Sequence, residues 1–313
     1  MATSDRGEAP GEPTADLLWT DELCASVPPQ DHTVMRVPES DGVWTRHFFG
    51  GPGLTSCAFA VSPDGRHVHS RRDPQVRPED LLGLFAEPVM RTVLTRQAIP
   101  SFHGAALARD GRCILLLGDS GAGKSTIAGA LMRDGWVLLT DDLARVSERH
   151  GAWFVAPGFR QLKLHSKTVR HLSLDPASVR ARWTSYLDYE EAIRRGSGLE
   201  HGSVPKYALP DERDAEETRL GAIYLLGKRR PGPARAEPLS PIEQIRGALN
   251  HLTLDPAAPA APPPAAFARI IPAILRQAPC LRLAMPDAAP EAIAAVSDFP
   301  WLQAADERTS VCA

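Results

Sequence analysis

One lysine behind three glycines, with two adjacent carboxylates seventeen positions further on, gives this chain the residue types needed to handle a phosphate. The segment Gly118 to Ser125, GDSGAGKS, satisfies G-x-x-x-x-G-K-[ST] at every position. Glycines at 118, 121 and 123 permit positive φ and close backbone approach. The amides of Gly118, Asp119, Ser120, Gly121, Ala122, Gly123, Lys124, Ser125 and Thr126 can then converge on phosphate oxygens at the positive end of a following helix. Lys124 reaches the β- and γ-phosphates, and the Ser125 hydroxyl reaches Mg²⁺. The bland alternative is an ordinary glycine turn before a helix. The pattern predicts a nucleotide site for ATP with Mg²⁺.

The second group is Asp141-Asp142, closing the apolar run WVLLTDD. On a continuing strand, adjacent carboxylates face opposite sides, so one can attend a metal while the other takes a proton from a substrate. The alternative is a solvated acidic turn. His103, before Gly104, is a further candidate, although a lone histidine before a glycine is more often structural. Only five lysines stand against thirty arginines, and besides Lys124 three of them, at 163, 167 and 206, fall in the segments PGFRQLKL to VPKYALP downstream of the acidic pair. Arg160 and Lys163 in PGFRQLKL, and Lys206 in VPKYALP, are candidates for neutralising a transferred phosphoryl group or orienting an acidic peptide. Solvated surface cations are the competing reading for each.

These groups need elements to hold them. Ile114 to Leu117 form a short apolar strand and Ile127 to Met132 resume at helical period, so the glycine loop is a strand-to-helix turn. A helix of about ten residues and a tight turn at Asp134-Gly135 make the strand ending in Asp141 the immediate sheet neighbour of the loop strand. Upstream, VWTRHFF and CAFAVS alternate as strands, and PEDLLGLFAEPVMRTVLTRQ has helical spacing interrupted by Pro88. Downstream, ARVSE and AWFVA flank RHG as a hairpin, PGFRQLKL ends as a short strand, and helices are expected near 166–172 and 183–194. RRGSGLEHGSVPKYALPDERDAEE, glycine-rich and then highly charged, is expected to contain a mobile loop, RLGAIYLLG and CLRLAM read as strands, and Phe267 to Arg276 as a helix. The division is a polar, disordered tail at 1–16, a small β-rich module with a connecting helix at 17–98, and a catalytic domain at 99–313. A Pro/Ala-rich linker interrupts the last near 255–266.

A chain of 313 residues, 43% hydrophobic, is long enough for a substantial core. Its formal charge of −3, with arginines scattered, provides no footprint for nucleic acid. Five cysteines without C-x-x-C spacing suggest neither a disulfide framework nor a zinc site, which fits a reducing cytoplasm. No basic-then-apolar leader and no run of membrane-crossing length is present, so neither a membrane nor a nucleic acid is expected as a partner.

His103-Gly104, GDSGAGKST, DGW at 134–136 and LLTDD, with gaps of 21 from His103 to Lys124 and 17 from Lys124 to Asp141, resemble the catalytic core of bacterial HPr kinase/phosphorylase. The resemblance spans roughly Phe102 to Val146. It implies an α/β fold with a mixed sheet, the P-loop kinase core of the HPr kinase/carboxykinase type, behind the β-rich module. By the same resemblance Lys124 and the loop amides bind nucleotide, Ser125 and Asp142 attend Mg²⁺, Asp141 is the base for a substrate hydroxyl, and His103 lies close to the reacting groups. The family's arginine-containing signature downstream has no counterpart. SFHGAAL, TDD, APGFRQLKL and KYALP instead resemble HPr-kinase-like proteins of modified-peptide pathways, some of which phosphorylate a serine of a lasso-peptide precursor. The resemblance thus implies a peptide or protein substrate bearing an acceptor hydroxyl, and, since HPr kinases are hexamers, a homo-oligomer. A non-catalytic nucleotide-binding regulator and a small-molecule kinase or carboxykinase-like enzyme are the alternatives.

Overall fold

The run Cys113 to Leu117 is fully buried because its strand lies inside a sheet covered on both faces. The computed structural model describes residues 32–49, 57–72, 74, 85–181, 206–256 and 264–300. In chain order its strands are β1 (His32–Glu39), β2 (Gly42–Phe49), β3 (Cys57–Val61), β4 (Val68–Arg72), β5 (Ser101–Phe102), β6 (Gly104–Arg109), β7 (Arg112–Leu117) and β8 (Val137–Thr140). They continue with β9 (Ala144–Arg149), β10 (Ala152–Val155), β11 (Gln161–His165), β12 (Arg180–Ala181), β13 (Lys206–Pro210), β14 (Thr218–Leu226), β15 (Arg235–Pro238) and β16 (Cys280–Ala284). The helices are α1 (Met90–Arg96), α2 (Lys124–Arg133), α3 (Ser166–His171), α4 (Pro241–Asn250), α5 (Phe267–Gln277) and α6 (Ala289–Asp298).

Strands β1 to β4 form an antiparallel meander, the β-rich module expected from their alternation. Phe49, Phe59, Val61 and Val68 pack against Phe85, Val89 and Val93 of the connecting helix. Pro88 sits in a π-helical turn, Phe85–Val89, and regular helix begins only beyond it. Proline has no N–H for the helical ladder, so the interruption is where the sequence places it.

The large mixed sheet runs β5-β9-β10-β14-β7-β6-β8, with β16 also paired to β14 and β15 to β16. β14 is parallel to β7 and to β16, and the other pairs are antiparallel. Alternation along β7 sends Ile114 and Leu116 into a core with Ile127 and Leu131 of α2 and Val296 of α6. Cys113, Leu115 and Leu117 meet Phe267, Ile271 and Ile274 of α5 on the other face. The sheet is therefore the middle of three layers, each large buried side chain contributing about 1.5–3 kcal/mol.

One expected neighbour relation is corrected. β8 does not lie beside β7, because β6 stands between them. The cause is local: Asp110 (φ 53°) and Gly111 (φ 73°) close a two-residue turn whose left-handed geometry matches strand twist, so β6 takes the place beside β7. α2 then carries the chain past β6 to β8. Since β6 is antiparallel to both, β7 and β8 run the same way. The ends of β7 and β8 and the start of β6 meet at one sheet edge.

KYALP, within the stretch expected to contain a mobile loop, is strand β13, which pairs with β11 and β12 in a separate three-stranded sheet. Its pairing partner comes from far earlier in the chain, so no local pattern announces it. The hairpin at RHG, the helix at α3 and the strands β14 and β16 form where the sequence predicts them. The tail at 1–16, the helix expected at 183–194 and linker residues 257–263 lie outside the described residues. Among the described residues, no helix is long and apolar enough to cross a membrane.

Candidate active site

Gly118 to Gly123 join the end of β7 to α2, with Gly123 as the helix N-cap at φ 101°, a conformation that disfavours any side chain. Lys124 and Ser125 occupy the first turn of α2. The Lys124 ammonium donates to the carbonyls of Gly118 (2.5 Å) and Asp119 (3.2 Å), so it is held over the loop. Burial lowers its pKa, while Asp142, Asp141 and Asp119 act in the opposite direction. Both carboxylates of the acidic pair are thus within electrostatic reach of the loop lysine.

β8 ends at Thr140, and Asp142 turns into the left-handed region at φ 69°. The expected strand-like alternation of the two carboxylates therefore does not occur; aspartate is among the few residues that tolerate this conformation. Asp141 is only 6% exposed. Its Oδ1 accepts from the Asp142 amide (3.1 Å) and its Oδ2 from the Lys163 amide (2.9 Å). The Asp142 carboxylate is ion-paired with the Lys163 ammonium, their side chains being 17% and 14% exposed.

His103 enters from the start of β6. Glycine must follow it, because a β-carbon on Gly104 would run into the Leu116 carbonyl of β7. His103 Nδ1 lies 3.1 Å from the Asp142 carbonyl. A carbonyl only accepts, so Nδ1 carries the proton in this bond and Nε2 is the nitrogen that exchanges one. The backbone N–H of His103 donates to the His251 carbonyl at 2.7 Å.

His251 is a site residue that the sequence reading missed. Burial lowers its pKa, Asp119 acts to raise it, and Lys124 and His103 lower it further, so its imidazole belongs electrically to the same cluster. It arrives at the end of α4 on a segment that runs antiparallel to β5: Leu252 bridges Phe102, and the Thr253 N–H donates to the Ser101 carbonyl at 2.8 Å. Two residues on, buried Asp255 accepts from Thr92 Oγ1 (3.1 Å) and pairs with Arg96 (3.6 Å). Thr92 Oγ1 in turn lies 3.0 Å from His47 Nε2 in the β-rich module. A histidine at a helix C-terminus is unremarkable for dipole reasons, which is why nothing in ALNHL points to the site.

Of the candidate substrate cations, Lys163 is in the cluster. Arg160 braces β8: its Nε donates to the Leu138 carbonyl at 2.7 Å, and its guanidinium lies 3.6 Å from Asp211. Asp211 accepts from the Leu138 amide (2.8 Å) and is chelated by Arg213. Lys206 opens β13 in register with His165.

Among the described residues, no three His, Cys, Asp or Glu side chains gather closely enough to cage a metal. Mg²⁺ does not require a cage, since it keeps several waters and binds through one or two carboxylates together with nucleotide oxygens. In such a site Ser125, in the first turn of α2, and the Asp142 carboxylate, which Lys163 engages here, would be this chain's ligands.

No protein-family model and no curated protein matches the chain. Among solved structures it is similar to the HPr(Ser) kinase/phosphatase of Coxiella burnetii, at 15% identity and a TM-score of 0.24, over 56% of this chain and 93% of that one. The functional reading rests on the loop, the acidic strand end and the two histidines themselves.

Proposed function

We propose that the protein is an ATP-dependent kinase that transfers the γ-phosphoryl group to a serine or other hydroxyl of a peptide or protein, such as a modified-peptide precursor. The observation that carries this reading is the meeting, at one sheet edge, of His103 from the start of β6, the glycine loop after β7 and Asp141-Asp142 after β8. The loop amides and Lys124 hold the phosphates of ATP. Ser125 and Asp142 would hold Mg²⁺, which would supply neutralisation of the phosphate charge. Asp141 accepts the proton of the substrate hydroxyl, the oxygen bonds to the γ-phosphorus, and the bond to the ADP oxygen breaks. Lys163, within reach of both carboxylates, offsets charge on the moving phosphoryl group.

One observation favours a non-catalytic nucleotide-binding regulator instead. Both oxygens of Asp141 already accept backbone amides, so its carboxylate also serves to shape the turn after β8. Incubation with γ-labelled ATP and candidate peptides, followed by mass spectrometry, separates the two. The kinase adds one phosphate to a peptide or protein hydroxyl and loses that activity in Asp141→Asn. Nucleotide binding with no phosphate transferred to any candidate, and full cellular function in Asp141→Asn, favours the regulator.

A further inference from the structure

Arg229 flanks the phosphate loop on the side away from the carboxylates. β14 is parallel to β7, with Leu225 beside Leu117, so the residues after Leu226 leave the sheet at the edge where the loop begins. The N–H of Gly227 donates to the Leu283 carbonyl and that of Arg230 to the Met285 carbonyl, each at 3.0 Å, which fixes the turn between them. The Arg229 guanidinium is thereby laid against the loop: a β-carbon on Gly123 would lie 2.6 Å from Nη2. Its Nη1 donates to the Asp287 carbonyl at 3.3 Å, and among the described residues no carboxylate forms an ion pair with it. The guanidinium thus stands beside Gly123 at the N-terminal end of α2, where an anion held by the loop would meet it.

We infer that Arg229 is a nucleotide-binding residue that clamps the diphosphate portion of the nucleotide, the part retained as ADP, onto the loop. The inference rests on the nucleotide reading above. The assignment to the diphosphate follows from the two flanks of β7. Asp141, Asp142 and His103 emerge on the β6–β8 side, so the phosphoryl group that moves faces them, and Arg229 on the β14 side faces what stays behind. With Nη1 directed to the Asp287 carbonyl, Nη2 is the donor nearest the loop, and a planar fork suits phosphate oxygens. Glycine at 123 has a second role here, since any side chain would displace the guanidinium.

Calorimetric titration of the full chain with MgADP and MgATP tests this, using Arg229→Met and Arg229→Lys with thermal unfolding as the check on folding. Arg229→Met is expected to weaken both nucleotides by a similar factor, about ten- to hundredfold, as befits loss of a charge-assisted contact. Arg229→Lys keeps the charge but not the fork and is expected to lose roughly three- to tenfold; it decides the matter should the methionine variant not fold. Wild-type affinity for MgADP in the folded variants overturns the inference alone, and so does a loss confined to MgATP. Wild-type protein that binds neither nucleotide overturns the nucleotide reading and this inference with it.

Discussion

The Lys163 ammonium is ion-paired with the Asp142 carboxylate, while the amide of the same residue donates to Asp141 Oδ2 at 2.9 Å. One residue of β11 therefore holds both members of the acidic pair, and in the proposed site its charge would compete with Mg²⁺ for Asp142. Lys163→Met is expected to lower the Mg²⁺ concentration needed for half-maximal phosphoryl transfer by a few-fold. It should also reduce turnover on the order of 10²-fold, by removing a cation from the developing phosphoryl charge. Magnesium titrations at fixed ATP measure both effects, and a variant identical to wild type in both would remove Lys163 from the site.

Lys124→Ala tests the loop. The ammonium is held by two loop carbonyls and replaceable without disturbing the core, so the fold should persist while ATP affinity falls by roughly ten- to hundredfold. Calorimetry on the folded variant checks this; unchanged Mg-ATP affinity is the result that defeats the nucleotide assignment.

The acidic pair should divide its labour. Asp142→Asn removes the charge of the proposed magnesium ligand and is expected to raise the Mg²⁺ requirement. Asp141→Asn should spare ATP affinity but cut turnover by about 10²–10⁴-fold, the usual contribution of a general base. Because Asp141 also accepts two amides, its variant must first be shown to unfold cooperatively. Equal shifts in metal dependence for both variants would contradict the division.

Asp211 gives a prediction in pH. Burial acts to raise its pKa but is outweighed by the Arg213 guanidinium and the Leu138 and Arg213 amides, so the net shift is downward. A depressed carboxylate stabilises the fold fully above its unfolded value of about 3.9 and loses that contribution as pH falls through the lower folded value. Asp211→Ala, which leaves the Leu138 amide and two arginines without their partner, is expected to cost about 3 kcal/mol near neutral pH. The gap to wild type should narrow as pH falls below about 3.9. Denaturant unfolding at several pH values measures it, and a gap that widens in acid would reverse the sign assigned to Asp211.

What the amino-acid order determined by itself was local. GDSGAGKS makes a strand-to-helix turn because positive φ, an apolar strand and a helical period are all written within twenty residues, and RDGR, RHG and Pro88 punctuate the chain through their own dihedral preferences. The spacing of His103, Lys124 and Asp141 was legible too, because short crossovers leave few ways to return to one sheet edge. Tertiary structure decided the rest. KYALP becomes a strand only by meeting β11, and Arg160 turns inward to Leu138 and Asp211, leaving Lys163 at the acidic pair. His251 and Arg229 reach the loop on segments more than a hundred residues downstream of it. Such contacts arise from hydrogen bonds and packing between elements distant in the chain, and no periodicity or turn chemistry around His251 or Arg229 encodes them.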